Sequence, residues 1–241
     1  TKRGQFEKPL EINVSSFYTY AEVADNEYNM MSASQILALE NSRGVGYGNT
    51  LTQEEIDEYP DYFWGDFFYR NAKTTNHNIS LSSGGKKSSQ FTSLGYFEQE
   101  GAVIKSRLKR FNLRNNLNVR STDDKFRLAS SLSINYSKTD ELASLGTGSI
   151  NWNLMFGPMM AVPYITPGDY VTWEQRPSDI FISDKYPDLF SQTPLLLMDQ
   201  SKNYVNQDED TKIIYNIDVQ YDILDNLTFR SSTGLDYFNA T

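Results

Sequence analysis

The chain contains no cysteine. Disulfides, thiolate metal sites, iron–sulfur clusters and a cysteine nucleophile are therefore excluded. It contains one histidine, His77, so a multi-histidine metal site and a proton relay through a second imidazole are excluded too. Basic residues are in the minority, 22 Lys and Arg against 31 Asp and Glu, for a formal charge of −9. A general nucleic-acid binder needs the opposite sign, because it works by displacing phosphate counterions. No stretch approaches the ~18–20 apolar residues of a spanning helix. The longest apolar patch, Leu154 to Val162, is interrupted by Gly157 and Pro158. The opening TKRGQFEKPL has no Met, no apolar core and no small-residue cleavage site, so no signal peptide is visible. A strong strand pattern, Leu227 to Phe238, stands at the other end. The expectation is an excerpt from something longer.

Aromatic residues are plentiful: 14% of 241 residues, including 16 Tyr and 14 Phe. The mean hydropathy of −0.55 suggests a water-soluble chain. A transmembrane β-barrel gives the same average, because its strands alternate lipid-facing and lumen-facing side chains.

Alternation is the dominant pattern, and it predicts about seven strands. Glu11–Tyr20 sets Ile12, Val14, Tyr18 and Tyr20 on one face, with Ser16 breaking the row. His77, Ile79 and Leu81 oppose Asn78, Ser80 and Ser82. Thr92, Leu94 and Tyr96 oppose Phe91, Ser93, Gly95 and Phe97. Gly84-Gly85-Lys86-Lys87 joins these two runs as a turn with a φ-permissive pair. In Arg110–Arg120, Phe111, Leu113, Leu117 and Val119 face away from Arg110, Asn112, Arg114, Asn116, Asn118 and Arg120. Lys125–Lys138 repeats the pattern, as do Ile213–Asp222 and Leu227–Tyr237. Several runs reach the 9–11 residues of a tilted spanning strand, beyond the usual ~5–6 of a soluble sheet. Short turns at 84–87, 121–124 and 223–226 alternate with longer connections at 21–74, 100–109 and 139–211. That asymmetry favours a barrel over a soluble sandwich, although periodicity alone leaves both open. Within the connections, Ser32-Ala33-Ser34-Gln35 and Thr52-Gln53-Glu54-Glu55 are capping boxes that predict short helices, the second closed by Pro60. A further short helix is expected near Trp152.

These residues resemble the SusC/RagA-type TonB-dependent transporters of the Gram-negative outer membrane. Thr1-Lys2-Arg3-Gly4 looks like the end of that family's plug domain. Met30-Met31-Ser32-Ala33 is similar to its first long loop. Trp64-Gly65-Asp66, then Asn76-His77-Asn78-Ile79-Ser80-Leu81-Ser82-Ser83-Gly84-Gly85, resembles its W-x-D and N-H-x-x-S-x-S-G-G stretch. Ser93–Gly101, Arg110–Leu117 and Ala161-Val162-Pro163-Tyr164 with Pro167-Gly168 continue the likeness to about residue 168. The resemblance implies an all-β fold: antiparallel transmembrane barrel strands in a partial barrel, with long loops containing short helices. Residues 1–4 would be the C-terminal edge of the plug, and 5–241 the N-terminal part of the barrel. It further implies import of a large nutrient, an oligosaccharide or oligopeptide, across the outer membrane. The partners would be a SusD-like lipoprotein lid, TonB acting through the plug, and outer-membrane lipid and lipopolysaccharide. No cofactor, metal or catalytic residue is implied. The alternatives are a soluble all-β carbohydrate-binding module and a β-rich glycoside hydrolase using two of the acidic residues.

Five residues are candidates for contact with cargo: Trp152, Tyr164, Tyr170 and Trp173 in the loops, and Arg114 on the polar strand face. The loop aromatics could stack on sugar rings or grip peptide, or equally pack a loop core. His77 has no second ligand beside it and is expected to be structural. Arg110, Arg114 and Arg120 could line a lumen or meet lipopolysaccharide at strand ends. Tyr18, Tyr20, Tyr136, Tyr215, Tyr221 and Tyr237 fit aromatic girdles.

Overall fold

A computed structural model describes residues 4–24, 29–141, 156–159, 161–169 and 205–241. Seven strands form one antiparallel sheet in chain order. They are β1 (Lys8–Ala21), β2 (Ala72–Gly84), β3 (Ser88–Glu100), β4 (Arg107–Arg120), β5 (Phe126–Asp140), β6 (Gln207–Leu224) and β7 (Leu227–Ala240). Each alternating run of the sequence falls on one of these strands, the Lys125 run starting one residue before β5, and β6 reaches 18 residues. The links at 85–87, 121–125 and 225–226 all fall at one end of the sheet, and those at 22–71, 101–106 and 141–206 at the other. The sheet does not close, since β1 and β7 do not pair.

The register assigns every side chain to a face. Asn13↔Ser80, Ser80↔Ser93, Ser93↔Arg114 and Arg114↔Ser133 form one continuous polar row. The neighbouring row on the opposite face is Val14↔Ile79, Ile79↔Leu94, Leu94↔Leu113, Leu113↔Ile134 and Ile134↔Ile213. A cleft of about 650 Å³ touches the polar side chains of β1 through β5 at once. One cleft can collect five adjacent strands only where the sheet curls around it, so the polar face is concave. The convex face carries most of the aliphatic side chains, and they are bare: Val14 is 70% exposed and Leu235 57%. A soluble sandwich would lay a second sheet on that face. All seven described strands instead lie in one sheet, and a lipid-facing wall leaves its outer side in this state.

Where Ser16 breaks the apolar row of β1, it sits opposite His77, and its hydroxyl lies 2.7 Å from His77 Nδ1. The His77 ring stacks on Tyr96 at 6.5 Å. The one histidine thus partners two convex neighbours. Tyr215 is a correction to the expected girdles. It lies mid-strand, because β6 begins at Gln207, well before the alternating run at Ile213. Its hydroxyl approaches Ser130 Oγ at 3.4 Å.

Gly84 also departs from the expectation. Its φ is not positive; only Gly44 and Gly46 among the described glycines are left-handed. A Cβ on Gly84 would stand 1.9 Å from the Gln5 carbonyl oxygen. The residue is small so that the chain before β1 can cross the inner wall. Gly4 lies there as well, where a Cβ would meet the Gln90 backbone at 2.7 Å and its carbonyl accepts from Ser89 Oγ at 3.2 Å.

The link between β1 and β2 folds into a unit of its own at the long-connection end. Helix α1 (Ala33–Arg43) starts at Ser32, whose Oγ accepts from Gln35 N while Gln35 Oε1 accepts from Ser32 N. Asp61 accepts from the next free amide, Ala33 N. Gly44, at φ 68, ends the helix in the left-handed conformation that glycine adopts without strain. Helix α2 (Gln53–Asp57) repeats the box with Thr52 and Glu55 and stops before Pro60. Helix α3 (Gly65–Phe68) was not legible as a helix in the sequence.

Candidate functional site

Two places could meet a solute: the concave wall and the loop unit above it. The wall is built by alternation. Most concave residues of β2 to β5 between Asn76 and Asn135 carry an amide, a hydroxyl or a guanidinium, with Phe91, Phe97, Leu108 and Ala129 among them. Gly95 keeps the floor of the cleft low, and a Cβ there would meet Asn78 Oδ1 at 2.8 Å. Asn78 in turn donates to Asn76 Oδ1 at 2.7 Å. The result is a shallow trough lined mainly by hydrogen-bonding side chains, with the Phe91 ring at its wall.

Arg114 stands in this trough between Ser93 and Ser133. Among the described residues it has no ion-pair partner. Its neighbours on β4 are committed elsewhere. The Arg110 guanidinium lies 5.7 Å over the Phe97 ring. That of Arg120 lies 4.6 Å over Phe6 and donates twice to the Lys86 carbonyl, at 2.9 and 2.8 Å. All three arginines face the concave side. A second concave hollow of about 530 Å³ lies toward the short turns, between Arg120, Arg127, Asp218 and Arg230. Arg127 there is 3.3 Å from Asp222.

The loop unit has the buried core that the wall lacks. Ala33, Leu37, Ile56, Trp64, Phe68, Tyr164 and Ile165 pack together. Trp64 stacks on Phe68 at 6.1 Å and meets Tyr62 and Phe67 edge-on. Tyr164 is 1% exposed. Its ring lies 6.0 Å from Tyr47 and 6.3 Å from Tyr59, and its hydroxyl donates to Glu40 Oε1 at 2.8 Å. The other Glu40 oxygen accepts from Gly48 N at 2.9 Å. Of the two roles the sequence left open for Tyr164, the structure shows the packed one. Trp152, Tyr170 and Trp173 lie outside the described residues, as does the helix expected near Trp152.

Segment 161–169 belongs to the β5–β6 link, so two long links share this core. Tyr62 N donates to Pro163 O at 2.7 Å. Arg70, which sequence reasoning did not single out, ties the unit to the sheet. Its Nε donates to Gly101 O at 3.1 Å and its Nη2 to Ser106 O at 3.0 Å, across the β3–β4 link. Ile104 N donates to Phe68 O at 2.9 Å beside it. Burial pushes the nearby Tyr69 phenol up to about 12. Burial and the Asp66 charge raise Tyr62 as well. No described group of three or more His, Asp or Glu is arranged to hold a metal ion. No described helix is long and apolar enough to cross a membrane, which leaves strand crossing untouched.

No family model matches the chain. Among curated proteins it is 27% identical over 128 residues to the TonB-dependent receptor P26 of Formosa agariphila, covering 53% of this chain and 13% of that one. It is 24% identical to the TonB-dependent receptor SusC of Bacteroides thetaiotaomicron over 253 aligned positions, covering 100% of this chain and 24% of SusC. The fold is shared with the RagAB peptide importer in its open-open state, with a TM-score of 0.69 and 20% identity over 100% of this chain and 29% of that one. The closed-closed state of the same importer gives 0.63. The chain thus spans no more than about a quarter of the curated relatives it matches. In sequence the chain is similar to TonB-dependent receptors, SusC among them, and it shares the fold of the RagAB importer.

Proposed function

We propose that the chain supplies wall, lumen lining and outer loops to a TonB-dependent importer of a large nutrient, an oligosaccharide or oligopeptide, in the Gram-negative outer membrane. The observation that carries this reading is the division of one curled sheet into a wet concave face and a convex face that bears most of the bare aliphatic side chains. In this reading the convex face meets lipid and the concave trough meets water, cargo and the plug. Residues 1–4 are the edge of the plug. Gly4 and Gln5, which hug the inner wall, support that assignment. A SusD-like lipoprotein covers the long-connection end, and TonB acts through the plug. Arg114 is the wall residue offered to cargo, as a free guanidinium among amides and hydroxyls. Trp152, Tyr170 and Trp173 remain loop candidates. Tyr164 serves by holding the loop unit in shape. The protein performs no reaction, and no residue is assigned a catalytic role.

RagAB is named as a peptide importer, which favours peptide among the cargo classes. The polar trough suits either class, since amide and hydroxyl groups bond peptide backbones and sugar hydroxyls alike. The test is cell fractionation with an antibody to this segment. The expected band is several-fold heavier than 27.6 kDa, sits in the outer membrane and changes mobility on boiling. A soluble band near the chain's own mass would overturn the reading in favour of a soluble binding module. Uptake of labelled oligopeptides and oligosaccharides by the parent strain and a deletion strain then separates the cargo classes.

A further inference from the structure

The register sorts the charges of the concave face by strand. From Ala72 on β2 to Thr139 on β5, no concave position carries an acid, and four carry arginine: Arg110, Arg114, Arg120 and Arg127. In a chain of 31 acidic against 22 basic residues, this band is the exception. The acids of β3 and β5, Glu98, Glu100 and Asp140, take convex positions. Three of the four arginines are engaged. Arg110 lies over Phe97, Arg120 donates to the Lys86 carbonyl and Arg127 pairs with Asp222. Arg114 has neither an ion pair nor a hydrogen bond among the described residues.

Arg114 is exposed, and it lines the cleft of about 650 Å³ together with Asn112, Asn135, Ser93 and Ser133. The two serines are its direct neighbours on β3 and β5, about 5 Å to either side. Ser133 Oγ accepts from Asn135 Nδ2 at 3.4 Å, which leaves its own O–H to donate. Short hydroxyls beside a long guanidinium keep the space above them open. Concave acids return only on β1 and from β6 onward, and none of them bonds Arg114. Glu11 accepts from Asn13 Nδ2 at 3.0 Å, Asp218 accepts from Ser232 Oγ, and Asp236 stands 3.9 Å from Lys212. Asp208 and Asp210 lie at the long-connection end of β6.

We infer that Arg114, flanked by Ser93 and Ser133, binds a carboxylate in the trough and gives the wall a preference for cargo that carries one. A planar guanidinium takes both carboxylate oxygens at once. The hydroxyls beside it can donate to the lone pairs left over, in charge-assisted bonds. No acid lines the cleft, so nothing within it repels the anion. Both cargo classes offer the group: an oligopeptide at its C-terminus or an acidic side chain, an acidic oligosaccharide at a uronate. The inference rests on the importer reading above and deepens it by naming the chemical group that the wall selects.

The test uses the full-length protein extracted from outer membranes in mild detergent, with binding measured by titration calorimetry. One pair of probes is an N-acetylated oligopeptide of uncharged residues with a free C-terminal carboxylate, and the same peptide as its amide. The other pair is a glucuronate-containing oligosaccharide and its carboxyl-reduced form. The wild type should bind the carboxylate member of at least one pair several-fold more tightly, and the pair that responds identifies the source. Arg114→Gln should abolish that preference, Arg114→Lys should keep part of it, and Lys87→Gln, in a short turn, should keep it whole. No preference by the wild type in either pair, whether from equal binding or from none, overturns the inference without needing any variant to fold. A preference that survives in Arg114→Gln overturns it as well, because the carboxylate is then read elsewhere. A wild type without preference, joined to a lower melting temperature of cargo-free Arg114→Gln, assigns the guanidinium to the plug instead. Uptake that is lost on deletion of the protein, with no carboxylate preference, sinks this site and keeps the importer reading. Uptake unaffected by the deletion sinks both.

Discussion

The wall and the loop unit are stabilised in different ways. The wall holds almost no buried side chain; of its residues only Ser89, Phe91, Gly95 and Asn116 are buried. Backbone ladders between seven strands carry it, and most of its aliphatic residues face outward. The loop unit has few ladders and a dense aromatic core around Trp64 and Phe68. One region suits a lipid solvent, where unsatisfied backbone is the main cost. The other suits water, where removing apolar surface is the main gain. A substitution should therefore act by opposite rules in the two regions.

The largest expected effect lies in the loop unit. Trp64→Ala removes a side chain 2% exposed, at a cost of about 3–5 kcal/mol. Hydrogen exchange should show α1 and α2 losing protection while the strands keep theirs. Equal loss in the wall would mean that the two regions are one cooperative unit. In the wall, Leu117→Arg puts a charge on the convex side, at a cost of about 2–4 kcal/mol in bilayer. Ser133→Arg, on the concave side, should change folding yield little. Denaturant titration of the protein in vesicles compares the two. Similar losses would contradict the assignment of faces.

The legibility of these regions in the sequence follows the same division. A strand exposed on both faces has only its own period to satisfy, so the alternation from Phe111 to Val119 announced both strand and face. Short turns and capping boxes are local as well, and Ser32 and Thr52 declared their helices. Long-range contacts are not local. Nothing adjacent to Tyr164 told of Glu40, Tyr47 and Tyr59, so its burial stayed open. Arg70 was silent because its partners are backbone carbonyls of another link. Gly84 was noticed for the wrong reason: turn chemistry was visible, but the passage of Gln5 over it was not.

That passage supplies a smaller test. Gly84→Ala places a methyl group where the Gln5 carbonyl lies, a clash worth about 1–3 kcal/mol by analogy with overpacking. The strain should lift residues 4–6 from the wall and weaken the bond from Glu7 N to Gly85 O. Faster exchange of the Glu7 amide, with β4 to β6 unchanged, is the expected readout. Gly85→Ala should be nearly silent, because nothing stands within 4 Å of its added Cβ.

The smallest effect is a titration in the loop unit. Glu55 accepts from Thr52 N and Thr52 Oγ1, both at 2.8 Å. The Thr52 backbone amide and then its hydroxyl hold the Glu55 carboxyl below the usual carboxylate range. A depressed folded pKa means that the unfolded chain takes up the proton first. The cap therefore contributes fully above the unfolded pKa of about 4.3, and the contribution fades as pH falls through the lower folded value. Exchange at α2 amides should speed up across that acid window. Glu55→Gln keeps an acceptor for Thr52 N and has no proton to gain, so its α2 should lose the pH dependence. If wild type and variant respond alike, the acid sensitivity of the loop unit comes from another group and the capping box is not its sensor.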